Sequence, residues 1–104
     1  MKLNEERIAE RLADAEGWKR EDAKWIVKKF RFRAFTDSVA FVGEIAELAE
    51  RMNHHPFISI DYKLVTLKLS SWHAGGLTDL DFESAAAYDR AYADFQAGAA
   101  HKEY

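Results

Sequence analysis

Residues 35–61 run FTDSVAFVGEIAELAERMNHHPFISID and set the middle of the fold. Through Met52, apolar side chains recur at a helical interval, with charged side chains between them. The recurring side chains are Phe35, Val39, Val42, Ile45, Leu48 and Met52. This pattern predicts a long amphipathic helix from Phe35 to Met52, because one face of such a helix is buried and the other lies in water.

A proline at position 56 prevents this helix from continuing. Proline disfavours the helical conformation in the residue before it, and Phe57 to Asp61 then alternate, with Ile58 and Ile60 on one face. A second alternation of apolar and polar side chains follows from Lys63 to Ser71. The sequence therefore predicts two neighbouring strands, of which the second is half-buried and antiparallel.

The segments on either side add two helices and a hairpin. Asn4 suits a helix cap, acidic residues follow it, and Gly17 is the expected stop. From Trp18 to Arg33, short alternating segments flank a plausible turn at Glu21-Asp22-Ala23. Thr78-Asp79-Leu80-Asp81 resembles a capping box, so a last helix is expected to begin there.

The predicted order is helix, two strands, helix, two strands, helix. It indicates a two-layer α+β fold in which three helices pack on one face of a four-stranded antiparallel sheet. With 104 residues, the chain is expected to form one domain over 1–104. An uncovered sheet edge favours pairing with a second copy, so a homo-oligomer is expected.

Composition excludes several classes of function. Fifteen Lys and Arg against eighteen Asp and Glu give a net charge of -3, which argues against nonspecific nucleic-acid binding. The chain has no cysteine, so disulfides, thiolate chemistry and cysteine-ligated metals are excluded. No apolar run approaches the length of a membrane span, and MKLNEERIAERL is too polar for a secretory signal. We therefore expect a cytoplasmic protein.

Three of the four histidines, His54, His55 and His73, cluster around the second pair of strands. His54 and His55 lie at the junction between the long helix and Pro56, where side chains can converge on a cleft. Histidines at such a site suit proton transfer, because they change charge near physiological pH. A second interpretation is that the pair caps the helix C-terminus and interacts with its dipole.

Two other kinds of site fit these residues less well. A metal site completed by His73 or Glu50 is disfavoured, because adjacent histidines do not easily chelate one ion and no HxH or HxxxH spacing is present. Ser70 and Ser71 suggest a nucleophilic serine, but no nucleophile elbow surrounds them. The sequence therefore predicts no metal site and favours acid/base chemistry by histidine.

A set of motifs spread over the whole chain resembles one known family. They are Glu50-Arg51-Met52-Asn53-His54-His55-Pro56, Tyr62, Trp72, Ala74-Gly75-Gly76-Leu77-Thr78 and Asp81, with Gly17-Trp18, Phe30-Arg31-Phe32 and Phe35 outside that core. In identity and spacing they resemble the pterin-4a-carbinolamine dehydratases, also called dimerisation cofactor proteins. The predicted order of elements is similar to the fold of that family.

The resemblance implies an activity. The family removes water from 4a-hydroxytetrahydropterin, the product of aromatic amino acid hydroxylases, and yields quinonoid dihydropterin for tetrahydrobiopterin recycling. Neither a metal nor a redox cofactor takes part. Family members form homodimers and homotetramers, so the resemblance supports a homo-oligomer whose small-molecule partner is a pterin.

The resemblance also implies roles for individual residues. His54, His55 and Asp81 match the catalytic positions, with His54 as the indispensable one, although Asp81 also suits the capping box. Glu50 either orients His54 or is an ordinary surface glutamate. The implied substrate contacts are Glu50, His54, His55, Pro56, Ser71, Trp72, His73 and Ala74.

Trp72 departs from the pattern of most animal members, which have a third active-site histidine there. Indole does not exchange protons at neutral pH, but it can stack on a pterin or donate its N–H. On an extended strand His73 would point to the opposite face, so unless the strand ends in a bulge or turn there, a two-histidine site with reduced turnover is expected. The alternative is a non-enzymatic relative that uses the same scaffold for dimerisation or protein assembly.

Overall fold

A computed structural model describes residues 1–101 of the chain, with side chains through residue 98. The helices are α1 (Glu5–Ala13), α2 (Phe35–Met52) and α3 (Asp79–His101). The strands are β1 (Lys19–Glu21), β2 (Trp25–Arg31), β3 (Phe57–Asp61) and β4 (Leu64–Leu69). A 3₁₀ turn, Trp72–Ala74, lies between β4 and α3. The element order is the predicted one.

The four strands form an antiparallel sheet in the order β1-β2-β4-β3. In its centre Ile26 lies opposite Leu69 and Phe30 lies opposite Val65, and all four side chains are buried. Residues directly opposite in an antiparallel pair point to the same side, so these side chains form the inner face, against which the helices pack. The predicted two-layer α+β fold is confirmed.

The core between the layers is largely aromatic at one end. Phe41 of α2 lies 5.3 Å from Phe30 and 5.0 Å from Phe32, measured between ring centroids. Tyr92 and Phe95 of α3 complete this cluster of rings. Because aromatic rings bury large areas and hold preferred angles, these contacts fix α2 and α3 on the sheet.

The buried face of α2 differs from the prediction. Phe35 and Val39 are 50% and 47% exposed, although both belong to the predicted apolar stripe. The residues of α2 that are buried are Ser38, Phe41, Ile45 and Ala49. The helix is turned so that Phe41 enters the aromatic cluster, and this rotation places Phe35 and Val39 on the outside.

α1 begins as predicted and ends earlier. The Asn4 side chain accepts a hydrogen bond from the backbone N–H of Arg7, which caps the helix. The helix ends at Ala13 with Asp14 as its C-cap, so the prediction that Gly17 stops it is wrong. Gly17, with φ of 86°, instead forms the left-handed turn into β1.

Within residues 1–101, no helix lies on the outer face of the sheet. Trp25 and Val27 of β2 lie there with Lys68 of β4 and Phe57 of β3. Every residue of β3 is exposed, and the strand has a neighbour on one side only. Among the described residues, no helix is long and apolar enough to cross a bilayer.

Candidate active site

A cleft of about 620 Å³ opens where the end of α2, the end of β4 and the start of α3 meet. Its lining is Asn53, His54, His55, Pro56, Phe57, Ser70, Ser71, Trp72, His73, Ala74, Thr78 and Leu80. A volume of several hundred Å³ is typical of sites for small molecules, so the cleft can hold a bicyclic ring. Both predicted histidines of the helix junction line it.

The direction of His54 is set by the residue before it. Asn53 has φ of 50° and ψ of 43°, the left-handed conformation that commonly ends helices. Its N–H and that of His54 both bond to carbonyl oxygens of the last turn of α2, including that of Ala49. This cap turns the chain sharply, and the imidazole of His54 then faces α3 rather than solvent.

His54 and Asp81 form the most buried polar pair of the cleft. His54 Nε2 lies 2.6 Å from Asp81 Oδ1, and the two side chains are 12% and 0% exposed. An ionised carboxylate only accepts hydrogen bonds, so a neutral ring paired with one carries its proton on the nitrogen that faces it, which here is Nε2. Nδ1 of His54 is then left with a free lone pair, as a proton acceptor requires.

Asp81 is held by two further donors. The Ser71 hydroxyl donates to Oδ2 over 2.8 Å, and the backbone N–H of Thr78 donates to the same atom over 2.9 Å. Because Ser71 has one hydroxyl proton and donates it to Asp81, the Thr78 hydroxyl donates to Ser71 across 2.8 Å. The carboxylate thus caps α3 and orients His54 at once.

The predicted capping box is therefore half formed. Asp81 reaches back to the Thr78 N–H as expected, whereas the Thr78 hydroxyl contacts Ser71 instead of the Asp81 N–H. A negative charge in the first turn of a helix is also favoured by the helix dipole. Both interpretations of Asp81, helix cap and partner of a catalytic residue, are compatible with its geometry.

Glu50 contacts His55, so of the two alternatives given for it, a residue that orients His54 and a surface glutamate, the structure agrees with the second. Its carboxylate lies 2.5 Å from His55 Nε2, and the side chains of His55 and Glu50 are 55% and 78% exposed. After the left-handed turn at Asn53, the two imidazoles contact different helices: His54 contacts α3, and His55 contacts the last turn of α2. Glu50 does not line the cleft.

The segment after β4 is not extended, which changes the prediction for His73. β4 ends at Leu69, and Trp72–Ala74 form a 3₁₀ turn. In that turn both Trp72 and His73 line the cleft, so they do not point to opposite faces as an extended strand would require. The Trp72 side chain is 70% exposed and forms an open wall of the cleft.

Most of the predicted site residues come together. His54, His55, Pro56, Ser71, Trp72, His73 and Ala74 line the cleft, Asp81 lies behind His54, and Glu50 lies outside. Sequence reasoning missed Asn53, Phe57, Ser70, Thr78 and Leu80, which also line it. Thr78 carried a signal, since it is in the capping motif, but only a helix cap was inferred from it.

The electrostatics of the site include the charge state of a buried tyrosine near Asp81 and the capacity of the site to hold a metal ion. Burial, together with the negative charge of Asp81, raises the pKa of Tyr88 to about 12, so its phenol is neutral at physiological pH. Among the side chains that the structure describes, no group of three His, Asp or Glu residues is placed to hold a metal ion. The titratable groups that line the cleft are histidines.

A sequence profile described as pterin 4 alpha carbinolamine dehydratase matches residues 1–91. The chain belongs to the pterin-4a-carbinolamine dehydratase family. The match includes α1, the whole sheet, α2 and the first half of α3, and therefore every element that borders the cleft.

Relatives in this dehydratase family are similar over most of their length. A protein of Sulfolobus acidocaldarius named "Putative pterin-4-alpha-carbinolamine dehydratase" is 45% identical over 85 residues, which are 82% of this chain and 92% of the relative. A protein of the same name from Sinorhizobium fredii is 46% identical over 93 residues, 88% of this chain and 89% of the relative.

Solved structures agree with the fold. A transcriptional coactivator/pterin dehydratase from Brucella melitensis superposes with a TM-score of 0.84 at 28% identity, covering 88% of this chain and 99% of that one. A pterin dehydratase-like protein identified as a RuBisCO assembly factor in the α-carboxysome has a TM-score of 0.63 at 23% identity, covering 74% and 90%. At 23% identity, the second comparison shows only that the two chains share a fold.

Proposed function

We propose that the protein is a 4a-hydroxytetrahydropterin dehydratase, a hydro-lyase that releases water from the pterin carbinolamine and forms quinonoid dihydropterin. The dehydratase name of its relatives supports the reaction class, and the reaction would serve tetrahydrobiopterin recycling. The observation that carries the proposal is the His54–Asp81 pair, a buried imidazole held by a carboxylate at the wall of a small-molecule cleft.

The reaction requires two proton transfers. The bond between C4a and its hydroxyl oxygen breaks, and the neighbouring ring nitrogen loses its proton as it forms a double bond to C4a. An acid must give a proton to the departing oxygen, so that water leaves, and a base must take the proton of the nitrogen. One proton is taken and one is given, so the elimination is balanced without an oxidant or a reductant.

The surroundings of the two histidines suggest which one acts as the base and which one acts as the acid. His54 has Nε2–H bound to Asp81 and Nδ1 free, so it is assigned as the base. The Asp81 carboxylate offsets the positive charge that the ring gains on accepting a proton. His55 is assigned as the acid, because its exposed ring can recover a proton from solvent after each turnover.

Trp72 and the segment beside it are assigned to binding. The indole is a large flat surface at the edge of the cleft, and a pterin is a flat ring of similar size. Pro56, Ser71, His73 and Ala74 would complete the contacts. A pterin ring bound against these walls would lie beside His54 and His55, which line the same cleft.

The test is a direct assay of dehydration. Freshly generated 4a-hydroxytetrahydropterin is followed by ultraviolet absorbance with the wild type, with His54→Ala and without protein. Because general acid–base catalysis contributes about 10²–10⁴-fold, the wild type should exceed the spontaneous rate and His54→Ala should lose most of that gain. The proposal fails if wild-type protein with a normal thermal unfolding transition leaves the spontaneous rate unchanged.

We further propose that the protein is a homo-oligomer. β3 is an edge strand with all five residues exposed, and Ile58 and Ile60 are 39% and 37% exposed on its inner side. An edge of this kind pairs readily with a second copy. Light scattering coupled to size exclusion should give a mass of at least two chains, and a monomer at micromolar concentration would rule this out.

A second candidate function is protein assembly without catalysis. Trp72, which is unable to exchange protons, and the exposed Phe35 and Val39 of α2 favour it. A defined partner bound equally by the wild type and His54→Ala, but lost in Phe35→Ser, would support this role. Dehydratase activity that depends on His54 would instead favour the enzyme.

A further inference from the structure

Three aromatic side chains form a cluster on the helix-free face of the sheet, directly beside the cleft. Trp25 begins β2, Phe57 begins β3, and Trp72 begins the 3₁₀ turn. Trp25 and Phe57 are 4.8 Å apart, and each lies 6.0 Å from Trp72, measured between ring centroids. Trp25 does not line the cleft, so the proposed substrate contacts do not account for it.

The position of Trp72 in the chain does not fix the orientation of its ring. It lies in a three-residue turn and is 70% exposed, and an exposed side chain changes rotamer within nanoseconds. Trp25 meets the indole nearly at a right angle, 89° between ring planes, and Phe57 meets it at 43°. Edge-to-face and tilted contacts of this kind are directional, so they favour one orientation of the ring.

Trp25 is itself anchored to the sheet. The Lys68 ammonium lies 5.1 Å from its ring centroid, and the same ammonium forms an ion pair with Glu21 of β1 across 2.6 Å. Three strands, β1, β2 and β4, therefore hold the indole of Trp25. Trp25 thus links the sheet to Trp72 at the edge of the cleft.

A second cavity lies between Trp25 and Trp72. It measures about 160 Å³, is lined by Trp25 and Gly75, and shares Ser70, Ser71 and Trp72 with the larger cleft. Trp72 is thus a wall common to both spaces. Truncating Trp25 would enlarge the smaller cavity, and Trp72 could then turn into it and leave the larger cleft without its flat wall.

We propose that Trp25 is a positioning residue that holds Trp72 as the stacking surface for the pterin ring, and that it thereby sets the affinity of the cleft for pterins. The inference rests on the proposed function, which supplies the pterin. It assigns Trp25 an effect on binding and none on proton transfer, because neither histidine contacts the aromatic cluster through a ring or hydrogen-bond contact in the described structure.

The experiment measures the dissociation constant of 7,8-dihydropterin by equilibrium dialysis, together with kcat and KM for dehydration. The variants are Trp25→Ala, Trp25→Phe and, as the control, Val27→Ala, which removes apolar area from the same face of β2. Two lost ring contacts predict affinity about three- to tenfold weaker in Trp25→Ala and a higher KM, with kcat within about twofold of the wild type. Trp25→Phe should recover most of the affinity.

Each outcome separates this inference from the proposed function. Weaker binding in Trp25→Ala alone, rescued by Trp25→Phe at equal thermal stability, supports the positioning role even if dehydration is not accelerated. Equal affinity in the wild type and Trp25→Ala would overturn the inference while leaving the dehydratase assignment intact. A loss of affinity in Val27→Ala of the same size would also overturn it, since any change on that face would then suffice. Failure of the wild type to bind dihydropterin would contradict both proposals.

Discussion

His54 and His55 are neighbours in the chain but differ in almost every physical respect. His54 is 12% exposed and bound to a fully buried aspartate, whereas His55 is 55% exposed and bound to a surface glutamate. Both residues follow Asn53, the left-handed cap of α2, and their side chains contact different helices, His54 through Asp81 of α3 and His55 through Glu50 of α2. Adjacent residues of one type can therefore perform opposite proton transfers, because environment and not identity determines the role.

The largest expected effect separates these histidines directly. His54→Ala should lower kcat/KM by about 10²–10⁴-fold, and His55→Ala by about tenfold, because solvent can supply a proton at an exposed site. The measurement is steady-state dehydration with both variants at matched concentration. Equal losses in the two variants would show that exposure does not distinguish their roles.

The next effect concerns the carboxylate behind His54. Asp81→Asn should lower kcat by about 10²-fold, because an amide can donate to Nε2 and so favour the wrong tautomer of the ring. Asp79→Asn is the matched control, since Asp79 is in the same turn of α3 but pairs with Arg11 away from the cleft. If Asp79→Asn loses as much activity, the effect belongs to the helix cap and not to His54.

Asp81→Asn should also destabilise the fold. The carboxylate accepts three hydrogen bonds, and weakening a helix cap costs about 1 kcal/mol, with more for a buried charged acceptor. Urea unfolding of both Asn variants measures the free-energy difference. A stability equal to that of the wild type would mean that the cap survives without the charge.

A smaller effect on kcat/KM is expected from the exposed partner of His55, Glu50. Glu50→Gln should change kcat/KM by about fivefold at most, because an exposed ion pair contributes about 0–1 kcal/mol. Glu47→Gln, one turn earlier on α2, controls for the lost surface charge. A loss above about 10²-fold would place Glu50 on a par with Asp81 and remove the contrast between the two histidines.

The smallest effect at neutral pH is expected at Tyr88. Its buried hydroxyl has no hydrogen-bond partner in the described part of the chain, so Tyr88→Phe should change the free energy of unfolding by less than about 1 kcal/mol. At alkaline pH the two proteins should differ. Burial, with the charge of Asp81, raises the pKa of Tyr88 to about 12, whereas an unfolded tyrosine titrates near 10.

The sign of that pH dependence follows from proton binding. Between about pH 10 and 12 the unfolded chain loses the Tyr88 proton and the folded chain keeps it, so stability falls as pH rises through this window. Tyr88→Phe removes this part of the loss. Urea unfolding at pH 8, 10 and 11 checks it, and parallel curves for wild type and variant would contradict the assignment.

The long helix was predictable because its signals are local. The apolar repeat and Pro56 give Phe35–Met52, the bounds that the structure shows. Its rotation was not predictable, since Phe35 and Phe41 are equally apolar and only contacts with the sheet select Phe41 for the core. Periodicity predicts that a helix forms, whereas tertiary contacts determine which of its faces is buried.

For a similar reason, the sequence did not predict which carboxylate contacts which histidine. Glu50 is near both His54 and His55 along the chain, and it contacts His55 because His54 is bound to Asp81 of α3, a contact between distant residues. The sequence left open whether the strand ends in a bulge or turn before Trp72, and the 3₁₀ turn at Trp72–Ala74 decides this in the structure. Segments with Asn, Ser and Gly allow several backbone conformations, and distant contacts choose among them.

The contact between His54 and Asp81 joins residues 27 positions apart, at the end of one helix and the start of the next. A chain emerging from the ribosome carries both histidines and the whole sheet before Asp81 is made. Until α3 docks, the imidazole of His54 has no aspartate to hold it, and the cleft lacks one of its walls. We therefore expect the proposed pterin site to form only after α3 has docked on the sheet.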